Sequence, residues 1–237
     1  MSKNNLIVFT SLYFLMMVNF VTAQSWDIAE LGGYGIPGSN TFREIFKKVN
    51  FVDLNDVEGS AYNDSIYKTA TFYYKDNQKI AECLSRYNGY SDEIEMMNSN
   101  GTFGSLKKVD FLRVNLNSKL FVVSSSPDFK NGESGFFIEK VINEKCSLYF
   151  KESKSFIKAI PAKSGYHTAT KSKFVDESNY YIKFGNGALR KIPQSKSKLL
   201  KLFPDKRDNL KAYISENKID LKKESDIIKL INYYNTL

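Results

Sequence analysis

Asp56-Val-Glu-Gly-Ser-Ala-Tyr-Asn-Asp64 opens a stretch reaching Ser124 whose reading decides the fold. Within it, Tyr67-Lys-Thr-Ala-Thr-Phe-Tyr-Tyr-Lys75 and Gln78-Lys-Ile-Ala-Glu-Cys-Leu-Ser-Arg-Tyr87 flank the pair Asp76-Asn77. Two aromatic, β-branched runs around such a pair predict a hairpin, because strand side chains alternate between faces with a period of two. Asp92 to Met97 reads as the next strand, Asn98-Ser-Asn-Gly101 as its turn, and Thr102 to Lys107 as the return. Val109 to Leu116 and Lys119 to Val123, joined at Asn117-Ser118, complete an antiparallel meander.

The first clear break is Ser124-Ser-Ser-Pro-Asp-Phe-Lys-Asn-Gly-Glu-Ser134. Beyond it the same pattern resumes in Gly135 to Ile142, Cys146 to Lys151 and Ser155 to Ile160. A polar loop from Pro161 to Lys171 leads to Lys173 to Asp176, Tyr180 to Phe184 and Ala188 to Ile192. Two successive antiparallel meanders of short strands predict a mainly β, α+β fold: a curved sheet, a sandwich or an incomplete barrel.

Past Pro193 the period turns helical. Ser195 is placed to cap a helix over Lys196 to Phe203, Pro204-Asp205 to start one reaching Asn217, and Glu224 to Asn235 forms the last. Leu210, Tyr213 and Ile214 share one face, as do Ile227, Ile228, Ile231 and Tyr234, so a short helical appendage should pack an apolar stripe on the sheet. Upstream, Phe42, Ile45, Phe46 and Val49 fall at helical spacing behind the capping box Thr41 and Glu44, predicting a short amphipathic helix. Gly32-Gly-Tyr-Gly-Ile-Pro-Gly38 lacks a preceding strand and a Walker lysine, and reads as a lead-in rather than a phosphate loop.

The start of the chain predicts export. Lys3 precedes the apolar run Leu6 to Val21, which Thr10, Ser11 and Asn19 interrupt, and Val21-Thr-Ala23 offers a cleavage site before Gln24. The expected organisation is therefore a signal peptide at 1–23, a lead-in at 24–55, a β-rich domain at 56–193 and a basic helical segment at 194–237, with no transmembrane span after processing. The destination is periplasmic or secreted.

With 42% hydrophobic and 14% aromatic residues in 237, the chain is too apolar to be disordered, and its Tyr and Phe favour strands. Its net charge of +8 is concentrated from Arg190 onward, where twelve Lys and Arg stand against six Asp and Glu. Lysines attract phosphates, but export excludes nucleic acid as a partner; peripheral contact with an anionic envelope surface is the alternative to a simply solvated face.

Candidate chemistry is sparse. His167 is the single histidine, which removes histidine triads and multi-histidine metal sites, so neither metal nor cofactor is expected. Glu93 and Glu95 share a strand face and are candidates for an acid–base carboxylate pair, or for cross-strand ion pairs with Arg86 and Arg113. Tyr73 and Tyr180 are candidates for lining a ligand groove, with core packing as the alternative. Cys83 and Cys146 could form a disulfide in an oxidising compartment or remain two buried thiols; a bridge requires α-carbons within about 7 Å.

Taken with the leader, three segments resemble a group of uncharacterised secreted proteins common in Bacteroidetes and flavobacteria. They are Glu58-Gly-Ser-Ala-Tyr-Asn-Asp64, Arg86-Tyr-Asn-Gly-Tyr-Ser-Asp-Glu-Ile-Glu95, and the ending Leu202-Phe-Pro-Asp-Lys206 through Leu210-Lys-Ala-Tyr-Ile214 to Asp226-Ile-Ile-Lys-Leu-Ile-Asn-Tyr-Tyr-Asn235. The resemblance implies export and a domain spanning most of the mature chain, and it carries no activity. The expectation is a non-enzymatic binding or structural module of the cell envelope, its partner a protein or an apolar or envelope ligand. The alternatives are an envelope hydrolase using the strand carboxylates and a half-barrel carrier of lipid.

Overall fold

The structure, a computed structural model, describes residues 46–48, 57–97, 103–129, 133–160 and 170–237. The predicted leader, the glycine-rich lead-in and His167 lie outside these residues.

The first meander is β2 (Lys68–Tyr74), β3 (Lys79–Asn88), β4 (Glu93–Met97) and β5 (Phe103–Leu106). Asn77 holds φ at 66°, while Asp76 Oδ1 accepts from the Gln78 backbone N–H at 3.0 Å, so the expected Asp-Asn pair makes the turn. The second meander is β6 (Leu112–Leu116), β7 (Lys119–Ser125), β8 (Ser134–Val141), β9 (Cys146–Lys151), β12 (Asn179–Phe184) and β13 (Arg190–Lys191). Asn117 and Ser118 both take positive φ, 53° and 61°, the two-residue turn whose twist matches that of the strands it joins.

The two meanders form one unclosed antiparallel sheet, ordered β1-β5-β4-β3-β2-β6-β7-β8-β9-β12-β13. Pairing of β2 with β6, in register from Ala70 opposite Leu116 to Tyr74 opposite Leu112, joins them. Strand β1 (Phe46–Lys48) pairs antiparallel with β5, where helical spacing predicted a helix. Pairing along an open sheet edge has overridden that periodicity; the rest of the predicted helix lies outside the described residues. Val109 to Phe111 also depart from expectation: they precede β6, and Phe111 O accepts from the Lys75 N–H at 3.0 Å.

One face carries Ala81, Phe72, Val114, Phe121, Ile138 and Phe150 in register across successive strands. This face rolls onto itself. Tyr87 of β3 packs on Phe121 at 5.0 Å between ring centres, and its hydroxyl donates to Glu152 O at 3.0 Å. The Lys154 N–H reaches Gly89 O at 2.9 Å, although four strands separate β3 from β9 in the sheet order. The result is an incomplete barrel whose interior is filled by Phe72, Tyr87, Phe121 and Phe136 together with aliphatics such as Ile94, Leu112, Val114 and Ile138.

Between β9 and β12 the chain makes a separate ribbon, β10 (Lys154–Ile157) with β11 (Lys173–Asp176). Phe156 and Phe174 meet at 5.2 Å on it, and Tyr90 of the β3–β4 turn packs on both. The segment after Val57 docks here too: the Phe174 N–H donates to Glu58 O at 2.9 Å, and Gly59, at φ 78°, leaves no room for a Cβ beside Phe174 O.

The C-terminal elements are α1 (Lys196–Leu200), a 3-10 turn at Pro204–Lys206, α2 (Arg207–Glu216) and α3 (Glu224–Thr236). Ser195 occupies the N-cap position of α1 in extended backbone, but its side chain makes no capping bond. Leu210 and Ile214 of α2 and Ile227, Ile231 and Tyr234 of α3 are buried, as their spacing predicts; Tyr213 and Ile228, expected on the same faces, are half-buried, and Leu230, which the spacing argument did not include, is buried with them. They cover Cys146, Leu148 and Ile182 of the sheet. Fully burying each such side chain is worth about 1.5–3 kcal/mol, so the helices form an apolar lid over β9 and β12.

Candidate functional site

Register places Glu95 of β4 directly opposite Arg86 of β3. Arg86 Nε donates to Glu95 Oε2 at 2.7 Å, and Asn88 donates to Oε1 at 2.8 Å. Tyr62 O–H lies 2.8 Å from Oε1 and 3.1 Å from Oε2, and Tyr67 O–H lies 3.4 Å from Oε2. The guanidinium is sandwiched between the two tyrosines, 4.1 and 4.5 Å from their ring centres, a cation–π arrangement that favours Arg over Lys. Burial, then the hydrogen bond to Glu95, pushes the Tyr62 hydroxyl well above its ordinary range.

Glu95 is only 2% exposed. Four donors from two segments occupy both its oxygens, which makes it an anchor for the segment at Tyr62 to Tyr67 rather than a base facing substrate. Glu93 is half-buried and takes no part in these bonds among the described residues. Of the two arginines expected to pair these acids, only Arg86 does so. Arg113 instead reaches Glu139 at 3.1 Å and Asn77 at 3.1 Å, because β6 borders β2 and β7, not β4. Burial raises the Glu139 carboxyl above its ordinary pKa despite Arg113.

A second ionic cluster lies where the sheet rolls onto itself. Asp92, in the β3–β4 turn at φ 55°, accepts from Tyr87 O–H at 2.7 Å and from the Phe136 N–H at 3.2 Å. Lys151 Nζ lies 2.8 Å from Oδ1 and Lys108 Nζ 3.1 Å from Oδ2. Lys151 sits 5.1 and 5.3 Å from the ring centres of Phe137 and Phe129. Burial lowers its pKa, which the charge of Asp92 opposes. A Cβ at Gly135 would stand 2.9 Å from both Asp92 Oδ2 and Lys151 Nζ, so glycine is what lets this pair form. The partners come from β3, β8, β9 and two connections, and nothing in their sequence spacing signals the cluster.

Tyr73 and Tyr180 do not share a groove. Tyr73 lies opposite Arg113 and Tyr180 opposite Phe150, on opposite faces and with four strands between theirs. Tyr180 stacks on Phe150 at 4.7 Å and donates to Glu224 Oε2 at 2.9 Å, joining α3 to the sheet. Cys83 and Cys146 are free thiols. They stand on β3 and β9, with four strands between theirs in the sheet order. Burial pushes their pKa values up to about 11 and about 12.

An open depression of about 600 Å³ is lined from the β2–β3 turn, the connection between β5 and β6, and strands β7, β8 and β12. Lys75, Lys108 and Lys183 line it together with Ser124, Ser125 and Ser134. Val109, Phe111 and Val123 give it an apolar part, and Asp110, 3.5 Å from Lys75, is its one acid. A smaller pocket of about 30 Å³, beside the Lys119–Glu152 pair, has room for a single water. Sequence reading missed the larger depression, although its lysines and serines fall at strand ends and turns, where binding residues concentrate.

Among the described residues no helix is long and apolar enough to cross a membrane, and no group of three or more His, Cys, Asp and Glu is placed to hold a metal ion. No family model, curated protein or solved structure matches the chain.

Proposed function

We propose that the chain is an exported, non-enzymatic binding or structural module of the cell envelope. The leader at 1–23 supports the compartment, and the likeness to secreted Bacteroidetes proteins supports the same address. One contrast carries the reading: Glu95 and Asp92 are tied up in structural bonds, while an open, lysine- and serine-lined depression remains at the surface. Its volume is that of a small-ligand site, and its lining is more polar than such sites usually are.

Neither alternative gains equal support. A hydrolase built on Glu95 would require a carboxylate oxygen facing open space, and both oxygens are saturated from within. A lipid carrier would require room beneath the helices or inside the roll. Phe203, Leu210, Leu230 and Ile231 fill the first, and Tyr87, Phe121 and Phe136 the second.

Fractionation of the native cells tests the proposal. The mature chain should begin at Gln24, leave the cytoplasm, and bring a partner or ligand with it that mass spectrometry identifies. Retention of Met1 to Ala23 in cytoplasmic protein would overturn the address. Turnover of an envelope substrate that Glu95→Gln abolishes in a folded variant would overturn the non-enzymatic reading.

A further inference from the structure

The depression's lining is chemically one-sided. Three ammonium groups against one carboxylate leave a local excess of positive charge in a chain already at +8. The acid is also poorly placed to cancel it: the Lys75–Asp110 pair spans 3.5 Å with both side chains largely exposed, and such pairs are weak. Lys108 spends one ammonium proton on Asp92 and keeps two for another acceptor. Among the described residues Lys183 has no ion pair, and no side-chain hydrogen bond occupies the hydroxyls of Ser124, Ser125 or Ser134.

The lining comes from β7, β8, β12, the β2–β3 turn and the connection before β6. Ser125 and Ser134 are register partners at the adjoining ends of β7 and β8, so the ladder fixes their backbones. Backbone bonding from Lys75 to Phe111 holds the opposite wall. Val109, Phe111 and Val123 pack on the main core, presenting half-buried carbon beside the charged rim. Lysines and hydroxyls donate without geometric preference for a planar fork, and this suits a tetrahedral phosphate as readily as a carboxylate.

We infer that this depression binds an anionic ligand of sugar size, a phosphate ester or an acidic saccharide, with its charge on the lysines and serines and its carbon skeleton on Val109, Phe111 and Val123. The inference rests on the binding-module reading and names the ligand class for it. Lysine point charges predict affinity that falls with ionic strength, the screening length shrinking from about 10 Å at 0.1 M salt to about 3 Å at 1 M.

The test uses the mature chain, 24–237, and four probes in calorimetry and ligand-observed NMR: glucose, glucose 6-phosphate, glucuronate and inorganic phosphate. The expected result is binding of a charged sugar at least about tenfold tighter than glucose, equivalent to about 1.4 kcal/mol, and weaker at high salt. Preference for glucose 6-phosphate or for glucuronate assigns the source as phosphate ester or sugar acid; inorganic phosphate alone matching either would overturn the role of the apolar part. The double variant Lys75→Glu/Lys183→Glu should lose at least about tenfold. A control pair on the exposed helical segment, Lys222→Glu/Lys223→Glu, should stay within about twofold, and circular dichroism confirms that both variants fold.

Equal loss in the control pair would overturn the site in favour of diffuse attraction. A chain that binds none of the probes yet is retained on its native envelope fraction overturns this inference and leaves the module reading standing. One that does neither overturns both.

Discussion

Over β9 and β12, the sheet face bearing Cys146, Leu148 and Ile182 is covered by three helical elements through Phe203, Leu210, Leu230 and Ile231. Over β2, β3, β6 and β7, the same face is covered by the sheet itself, rolled so that Tyr87 meets Phe121 and Phe136. The seam of that roll is ionic: Asp92 with Lys151 and Lys108, and Lys119 with Glu152. A helix lays down an apolar stripe and needs no further fastening. A sheet bent onto itself brings its strand ends together, where backbone groups and charges need partners. Buried charges therefore gather at the seam of the rolled half, while apolar side chains fill both halves.

The largest effect should come from unbalancing the seam. Asp92→Ala leaves Lys151 buried without its counter-charge and should cost about 3–5 kcal/mol. Lys151→Met removes the buried charge itself and should cost far less. Urea unfolding of both variants measures the contrast, and equal losses would show that the seam acts through packing alone. Under the lid, Leu230→Ala should cost about 2–5 kcal/mol. That loss should be the same at low and high salt, while the Asp92 variant's should change.

Smaller effects sharpen the same boundary. Gly135→Ala forces a methyl against Asp92, Lys151 and Phe129, and overpacking of this kind costs about 1–3 kcal/mol. Thermal unfolding should show the loss, and combination with Asp92→Ala should make it less than additive because the crowded partner is gone. Tyr180→Phe removes the hydrogen bond to Glu224 and should cost about 1 kcal/mol.

Alkaline pH tests the two halves together. The thiols of Cys83 and Cys146 and the hydroxyls of Tyr62, Tyr87 and Tyr181 all have pKa values raised by burial, so the folded chain keeps protons that the unfolded chain releases. Stability from these groups is full below about pH 9 and is lost as pH climbs through 9 to 12. Lys151 works the other way: its lowered pKa means the folded chain releases a proton that the unfolded chain still holds up to about pH 10.5, so its contribution grows with pH. Tyr67, Tyr74, Tyr149, Tyr180 and Tyr234 are raised in the same way, so the raised groups outweigh Lys151 and predict a net fall in denaturation midpoint between pH 9 and 11. A midpoint that rises over that range would contradict the assignment.

What could be read beforehand divides along the line between local and distant contacts. Asp76-Asn77 and Asn117-Ser118 announce their hairpins because turn conformation is set by the residues in the turn. Ile227, Ile231 and Tyr234 announce a buried helix face for the same reason. Pairing of β2 with β6, the approach of Lys154 to Gly89 and the meeting of Asp92 with Lys151 depend on how the sheet rolls, which no local pattern encodes. The strand at Phe46 shows the converse, a helical period overruled by a neighbouring edge. Of the candidate site, Glu95 with Arg86 was legible as a cross-strand pair. The Lys75, Lys108 and Ser134 depression was not, since its walls come from separate strands and connections that only the fold brings together.

The order of strands also bears on how the chain is made. β2 stands at the middle of the finished sheet, yet it is synthesised before β3, β4 and β5, and its second edge must wait for β6. During synthesis, a four-strand intermediate would therefore present an unpaired ladder of Ala70, Thr71 and Phe72, the kind of edge on which chains aggregate. Holding that edge apart from other copies until Leu112 to Leu116 arrives is the task this topology sets while the chain is being made.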